Sequence, residues 1–411
     1  MRILSILVLL AFSAGAAFGF CPTKHNQSAQ LCGNEEFDSC SISVTSFDTA
    51  GTAYPVERFY CIHIPSAPQE DLPVVFGFHG GGQEPSDQVA VWDKHTEQGM
   101  VLVAPAALMS EDGPKCKPKW RHLGREAATW SDLETIDTCL TEQVPPSPPV
   151  AAPKVADLDF VRDLMQGIES DLDVSNMYAS GFSSGAGLVY QLFITRPFVD
   201  NLAGFAAVSN TMTPQKRDAA AGTGGLNGVA GYTRNVDTRR PFLFFMGTAD
   251  KINSAVLSIL ETAPTCDYDT DCVAGTDCSA VVQEGIDCWL SAVVAGRTAH
   301  KMSTPRAENI AWLTHHNGSH PNPVLGLYPN VGSHGAVPTG AKVDATAVIR
   351  QDYLAVAPGA APVTAVTILG GGHVTPGRDG DYPPCANCDV DATEVTLQFW
   401  RAHAGFRSEW P

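Results

Sequence analysis

Short apolar runs rich in Val, Ile and Phe, bounded by Gly or Pro, recur along this chain with helical or loop sequence between them. Val56–Ile64 and Leu72–His79 read as an early pair of strands, and Met100–Pro105 as a buried one. Asn176–Ser180, Ala203–Val208, Phe242–Met246 and Val363–Leu369 follow. Such runs are the mark of strands covered on both faces, as in a parallel sheet. Val155–Leu172 places Val155, Leu158, Val161, Leu164, Ile168 and Leu172 at helical spacing, and Thr393–His403 reads as a closing helix. Strands alternating with helices predict an α/β fold with a mostly parallel sheet.

Two stretches break the alternation. Lys115–Pro153 is Pro-rich, with the run VPPSPPVAAP at Val144–Pro153, and reads as a loop excursion. Ser254–Arg306 carries four cysteines and an acidic knot, and reads as an insertion. The first residues read as an address. Arg2 precedes the apolar run Ile3–Phe12, and Ala17-Phe18-Gly19 supplies a small-x-small cleavage site. The expected organisation is a signal peptide at 1–19, a cysteine-containing segment at 20–55 and the main α/β domain at 56–411. The disulfide-rich insertion at 254–306 lies within that domain.

Charge removes several classes of function. Lys plus Arg is 26 and Asp plus Glu is 44 in 411 residues, a formal charge of −18. Phosphate-contact binding of nucleic acid needs a basic surface, and so does a polybasic hold on anionic lipid. The 44% hydrophobic content argues against disorder of the whole chain. All 12 cysteines follow the expected cut, an even number that reads as disulfides in an exported, soluble chain. They fall as three near the N-terminus, four at Cys266–Cys288 and a close pair at Cys385/Cys388, with others between. Asn26 and Asn317 stand in glycosylation acceptor patterns.

The chemistry is concentrated in two glycine-rich turns. Gly181-Phe182-Ser183-Ser184-Gly185 follows a strand-like run and precedes the helix-like Ala186–Phe193. Strand–GxSxG–helix is a nucleophile elbow, a tight turn that lifts the Ser183 hydroxyl above the sheet. It aims the Ser184 N–H at a developing oxyanion. His79-Gly80-Gly81-Gly82-Gln83, directly after another strand, matches the HGGG oxyanion segment of lipases and esterases. Gly81 is the preferred second donor, with Gly80 the alternative.

A neutral serine needs a base, and the base needs an orienting carboxylate. On this architecture the chain order is Ser, then Asp or Glu, then His, with both partners just past strand ends. Asp250, in the turn after Pro241–Met246, fits, with Asp267 and Asp269 in reserve. His373 fits after Val363–Leu369 and the turn Gly370-Gly371-Gly372. His315, His316, His320 and His334 compete less well, because none directly follows a strand with a glycine turn.

These motifs, with Gly247–Asp250, Gly370–Gly377 and Asp157-Leu-Asp-Phe-Val161, resemble the secreted polyhydroxybutyrate depolymerase/feruloyl esterase group of the α/β-hydrolase superfamily. The resemblance runs from about Arg58 to Arg401, with Ser254–Arg306 poorly matched. It implies an α/β-hydrolase fold and a serine carboxylesterase acting on polyester or on phenolic or acetyl esters of polysaccharide. The departures are Met246, where the group usually has His, and Thr375, where it usually has Trp. Both bear on the acyl pocket and leave the triad intact. The competing readings are a serine peptidase on the same fold and an inactive hydrolase fold used for binding.

No cofactor is expected. Asp267, Asp269 and Asp271 alternate as in a calcium loop, but Cys272 and Cys278 stand where an EF-hand needs Gly and Glu, so a structural calcium is the lesser reading. The expected partner is an ester, small or polymeric, with no nucleic acid and no membrane after signal cleavage.

Overall fold

The computed structural model describes residues 21, 23–25, 32–47, 53–66, 70–107, 109–112, 115–118, 120, 157–210, 232–235, 237–247, 304–328, 347–369, 373–377 and 390–406. The expected signal peptide, Asp250 and nearly all of the 254–306 insertion lie outside them.

An 11-stranded sheet organises the chain. Its strands are β1 (Thr23–His25), β2 (Asp38–Phe47), β3 (Ala53–His63), β4 (Leu72–Phe78), β5 (Val101–Pro105) and β6 (Val174–Phe182). The rest are β7 (Leu202–Val208), β8 (Phe242–Gly247), β9 (Val324–Tyr328), β10 (Ala347–Tyr353) and β11 (Val363–Leu369). The spatial order is β1-β2-β3-β5-β4-β6-β7-β8-β11-β10-β9. From β5 through β11 every neighbouring pair is parallel. The two wings are antiparallel. A parallel centre with β5 and β4 exchanged in order, and helices on both faces, is the α/β-hydrolase fold.

The central strands are apolar throughout because both faces are covered. Phe242 and Phe244 of β8 face one core, Leu243 and Phe245 the other. Helix α1 (Pro85–Trp92) joins the second core through Val89 and Trp92. Helix α2 (Asp157–Asp171) packs Leu158, Val161, Leu164, Met165 and Ile168 into the first. Asp157 and Asp159 in its first turn complement the helix dipole. Helix α3 (Ser184–Phe193) and helix α4 (Thr304–Asn317) share that face through Leu188, Leu192, Ile310 and Leu313. Helix α5 (Ala392–His403) closes the second face with Leu397, Phe399 and Trp400. Its N-cap Asp391 accepts hydrogen bonds from the Thr393 and Glu394 N–H groups.

One buried ion pair crosses from sheet to helix. Arg58 of β3 donates to Asp157 of α2 at 2.8 Å, with both side chains 1% exposed. Arg58 also donates to the Ala106 carbonyl and lies over the Phe160 ring.

Several expectations are revised. Asp38–Phe47 is a full strand paired along its length with β3. Cys32 pairs with Cys61 and Cys21 with Cys40, which joins Cys61 to the N-terminal group. His315 and His316 sit in the last turn of α4. Asn317 is fully buried and donates its side-chain amide to the Arg240 carbonyl, which closes that acceptor site to a glycan in the folded chain. Among the described residues no helix is long and apolar enough to cross a membrane.

Candidate active site

Strand β6 ends in a turn that only glycine permits at two places. A Cβ on Gly181 would lie 2.5 Å from the Gly185 carbonyl carbon. A Cβ on Gly185 would lie 2.1 Å from the Phe78 carbonyl oxygen and 2.6 Å from that of His79. The two glycines of GxSxG therefore let β6 meet α3, and let the elbow press against the end of β4. Between them Ser183 has φ 51° and ψ −116°, a strained conformation for a residue with a side chain. Its N–H donates to the Val208 carbonyl of β7 at 2.8 Å, and its carbonyl accepts from the Gly187 N–H at 3.1 Å.

The Ser183 Oγ lies 2.8 Å from His373 Nε2. A serine hydroxyl donating to a neutral imidazole is the pairing that generates an alkoxide nucleophile. The His373 ring also packs against Phe182 at 5.1 Å between centroids. Asp250, the expected third member, lies outside the described residues, as do Asp267, Asp269, Asp271 and His334.

The HGGG segment leaves β4 and runs beside the elbow. His79 is fully buried. Its Nε2 accepts the Ala107 N–H at 3.0 Å, which leaves the proton on Nδ1. Nδ1 then donates to the Gly80 carbonyl at 2.8 Å. Burial pushes the imidazole pKa down to about 4, so this ring is neutral at ordinary pH. Trp120, also buried, donates its indole N–H to the His79 carbonyl at 2.9 Å and packs edge-on against Phe78.

Gly80 N–H is taken by Gln83 Oε1 at 2.7 Å. The alternative donor of the sequence reading is thus occupied, which leaves Gly81. A Cβ on Gly81 would stand 3.6 Å from Ser184 Oγ, so the two candidate oxyanion residues face each other. As the first residue of α3, Ser184 presents an N–H that the helix itself does not use.

The end of β7 ties these parts together. Ser209, at φ 55°, donates its hydroxyl to the Val374 carbonyl at 3.1 Å, beside His373. Asn210 donates its side-chain amide to the Ser183 carbonyl at 2.6 Å. Neither residue was singled out from the sequence, yet the same rule that selected Asp250 and His373, a polar residue just past a strand end, selects both. Met246 is buried within β8, while half-buried Thr375 lies near Phe182 and Val208 at the base of the elbow. A cavity of about 200 Å³, lined in part by Phe59, His79, Gln83, Ala106 and Ala107, opens behind the HGGG segment. Ser183 and His373 do not line it.

No family model and no curated protein matches the sequence. Solved structures do resemble it. An acetyl xylan esterase from Aspergillus awamori is 10% identical, with a TM-score of 0.39 over 83% of this chain and 93% of that one. An S-formylglutathione hydrolase from Agrobacterium tumefaciens is 16% identical, with a TM-score of 0.32 over 56% of this chain and 79% of its own. A thermostable esterase is 16% identical, with a TM-score of 0.30 over 53% of this chain. The match spans 50% of that esterase's length. At such identities and scores the fold rests on the strand order and the elbow themselves.

Proposed function

We propose that the chain is a secreted serine carboxylic-ester hydrolase. Its substrates are polyhydroxyalkanoate-type esters or feruloyl or acetyl esters of polysaccharide. The observation that carries the reading is the 2.8 Å contact between Ser183 Oγ and His373 Nε2 at a strained strand-to-helix turn. Chain order supports Asp250 as the carboxylate, because it follows β8 and precedes His373. Export is supported by the leader-like 1–19 and by two disulfides.

In this mechanism Ser183 Oγ attacks the ester carbonyl carbon while His373 Nε2 takes its proton. Asp250 holds the imidazole tautomer and stabilises the imidazolium. The N–H groups of Ser184 and Gly81 receive the oxyanion, and losing one such donor typically costs about 3 kcal/mol of barrier. The tetrahedral intermediate collapses, His373 protonates the departing alcohol, and the acyl-enzyme remains on Ser183. Water, deprotonated by His373, attacks the acyl carbon, the acyl–Oγ bond breaks with return of the proton from His373 to Ser183 Oγ, and the acid is released.

The test is acid release from methyl ferulate and from short 3-hydroxybutyrate oligomers by wild type and by Ser183→Ala. Cleavage of either by wild type alone supports the reading, and the preferred substrate assigns the acyl class. Equal cleavage by Ser183→Ala overturns it. Cleavage of neither by wild type removes both substrate classes.

A further inference from the structure

The two candidate oxyanion N–H groups belong to the peptides Ser183–Ser184 and Gly80–Gly81. A trans peptide is planar, so its C=O and N–H point in opposite directions, and whatever holds the carbonyl aims the N–H. His79 Nδ1–H holds the Gly80 carbonyl at 2.8 Å. Asn210 Nδ2–H holds the Ser183 carbonyl at 2.6 Å. Only the NH₂ end of an amide can face a carbonyl oxygen, so the Asn210 orientation is fixed by its partner.

From this geometry we infer that Asn210 is a positioning residue for the oxyanion hole, acting from behind the peptide whose N–H meets the substrate. The inference rests on the esterase reading above. Asn210 has two effects there. It adds a second, shorter hold on the Ser183 carbonyl, which also accepts from the Gly187 N–H at 3.1 Å, and so restricts rotation of the Ser183–Ser184 peptide. It also polarises the carbonyl, which strengthens the N–H on the opposite side as a donor. Asn210 is itself held in place. Its backbone carbonyl accepts from the buried Tyr190 hydroxyl at 3.5 Å, and that hydroxyl accepts from the buried Asn309 amide at 2.9 Å. The chain Asn309–Tyr190–Asn210–Ser183 thus runs from α4 across α3 to the elbow.

The experiment compares wild type, Asn210→Asp and Asn210→Ala on 4-nitrophenyl acetate and on its thionoester analogue. Sulfur is a poor acceptor, so the ratio of ester to thionoester rates reads the strength of the oxyanion donors. Asn210→Asp keeps the shape and sets an oxygen against the Ser183 carbonyl, so it serves even where the alanine form fails to fold. The expected result is a kcat on the oxygen ester about tenfold lower or more, short of the roughly 100–1,000-fold cost of deleting a donor outright. KM should change little, and the ester/thionoester ratio should move toward that of the uncatalysed reaction. Loss of both rates in proportion, with the ratio unchanged, would make Asn210 a merely structural residue and overturn the inference. Full activity in both variants would also overturn it. If wild type neither hydrolyses the ester nor reacts at Ser183 with a fluorophosphonate, the esterase reading fails and takes the inference with it.

Discussion

His79 makes the fold sensitive to acid. Its ring is buried, its Nε2 accepts from Ala107 N–H, and desolvation lowers its pKa from 6.5 to about 4. Protonation would place a charge in the core and turn the Ala107 acceptor into a second donor. The folded chain therefore prefers the neutral ring, while the unfolded chain takes up a proton below its own value of 6.5. The stabilising effect of neutrality is present above pH 6.5 and is lost as pH falls toward 4. Linkage with these two values gives a loss of about 2 kcal/mol between pH 7 and pH 5, and about 3 kcal/mol by pH 4.

His79→Asn removes the titration while keeping an N–H near Nδ1. Urea unfolding followed by tryptophan fluorescence, for both proteins at both pH values, isolates the effect. His95 and His403, whose pKa values burial also lowers, contribute equally to both proteins and cancel. The stability advantage of wild type over His79→Asn should shrink by about 2 kcal/mol from pH 7 to pH 5. An advantage equal at the two pH values would refute the assignment of His79 as a buried neutral ring.

Three further outcomes follow from named contacts. Gly185→Ala should abolish the proposed ester hydrolysis and lower the melting temperature, because its Cβ would meet the Phe78 carbonyl oxygen at 2.1 Å; Gly81→Ala, whose Cβ meets only the Ser184 side chain, at 3.6 Å and beyond, should melt near wild type. Asp157→Ala should cost about 3–5 kcal/mol in chemical denaturation, since it leaves buried Arg58 without its carboxylate. Replacing Cys32 and Cys61 together by Ser should cost about 4 kcal/mol, from the unfolded-state freedom regained by a loop with a sequence separation of 29.

The central sheet was legible because its strands are buried on both faces, and a continuous apolar run has few other readings. Val363–Leu369 has the same bounds in sequence and structure. Helix α2 was legible because Leu158, Val161, Leu164 and Ile168 repeat at helical spacing on one buried face. Strand β2 was not, because Ser39, Ser41 and Ser43 interrupt its apolar residues, although Ser39 and Ser41 are buried. Helix α4 was not, because its buried face mixes Ile310 and Leu313 with Asn309, Thr314 and Asn317.

At the site, Ser183 and His373, which lie 2.8 Å apart, each stand in a glycine-rich turn after a strand, and that local pattern is visible in the sequence. The supports were not. Trp120 meets the His79 carbonyl across 41 residues of chain. Asn210 meets the Ser183 carbonyl across 27. Such partners are set by which strands lie side by side, and no local pattern encodes that.

The most direct measurement is site-resolved labelling by a fluorophosphonate, read by peptide mass spectrometry on wild type, Ser183→Ala and His373→Ala. The triad account predicts one phosphonyl group on Ser183 in wild type, none in Ser183→Ala, and strongly slowed labelling in His373→Ala. Labelling at another serine, or labelling of Ser183 at the same rate without His373, would contradict it.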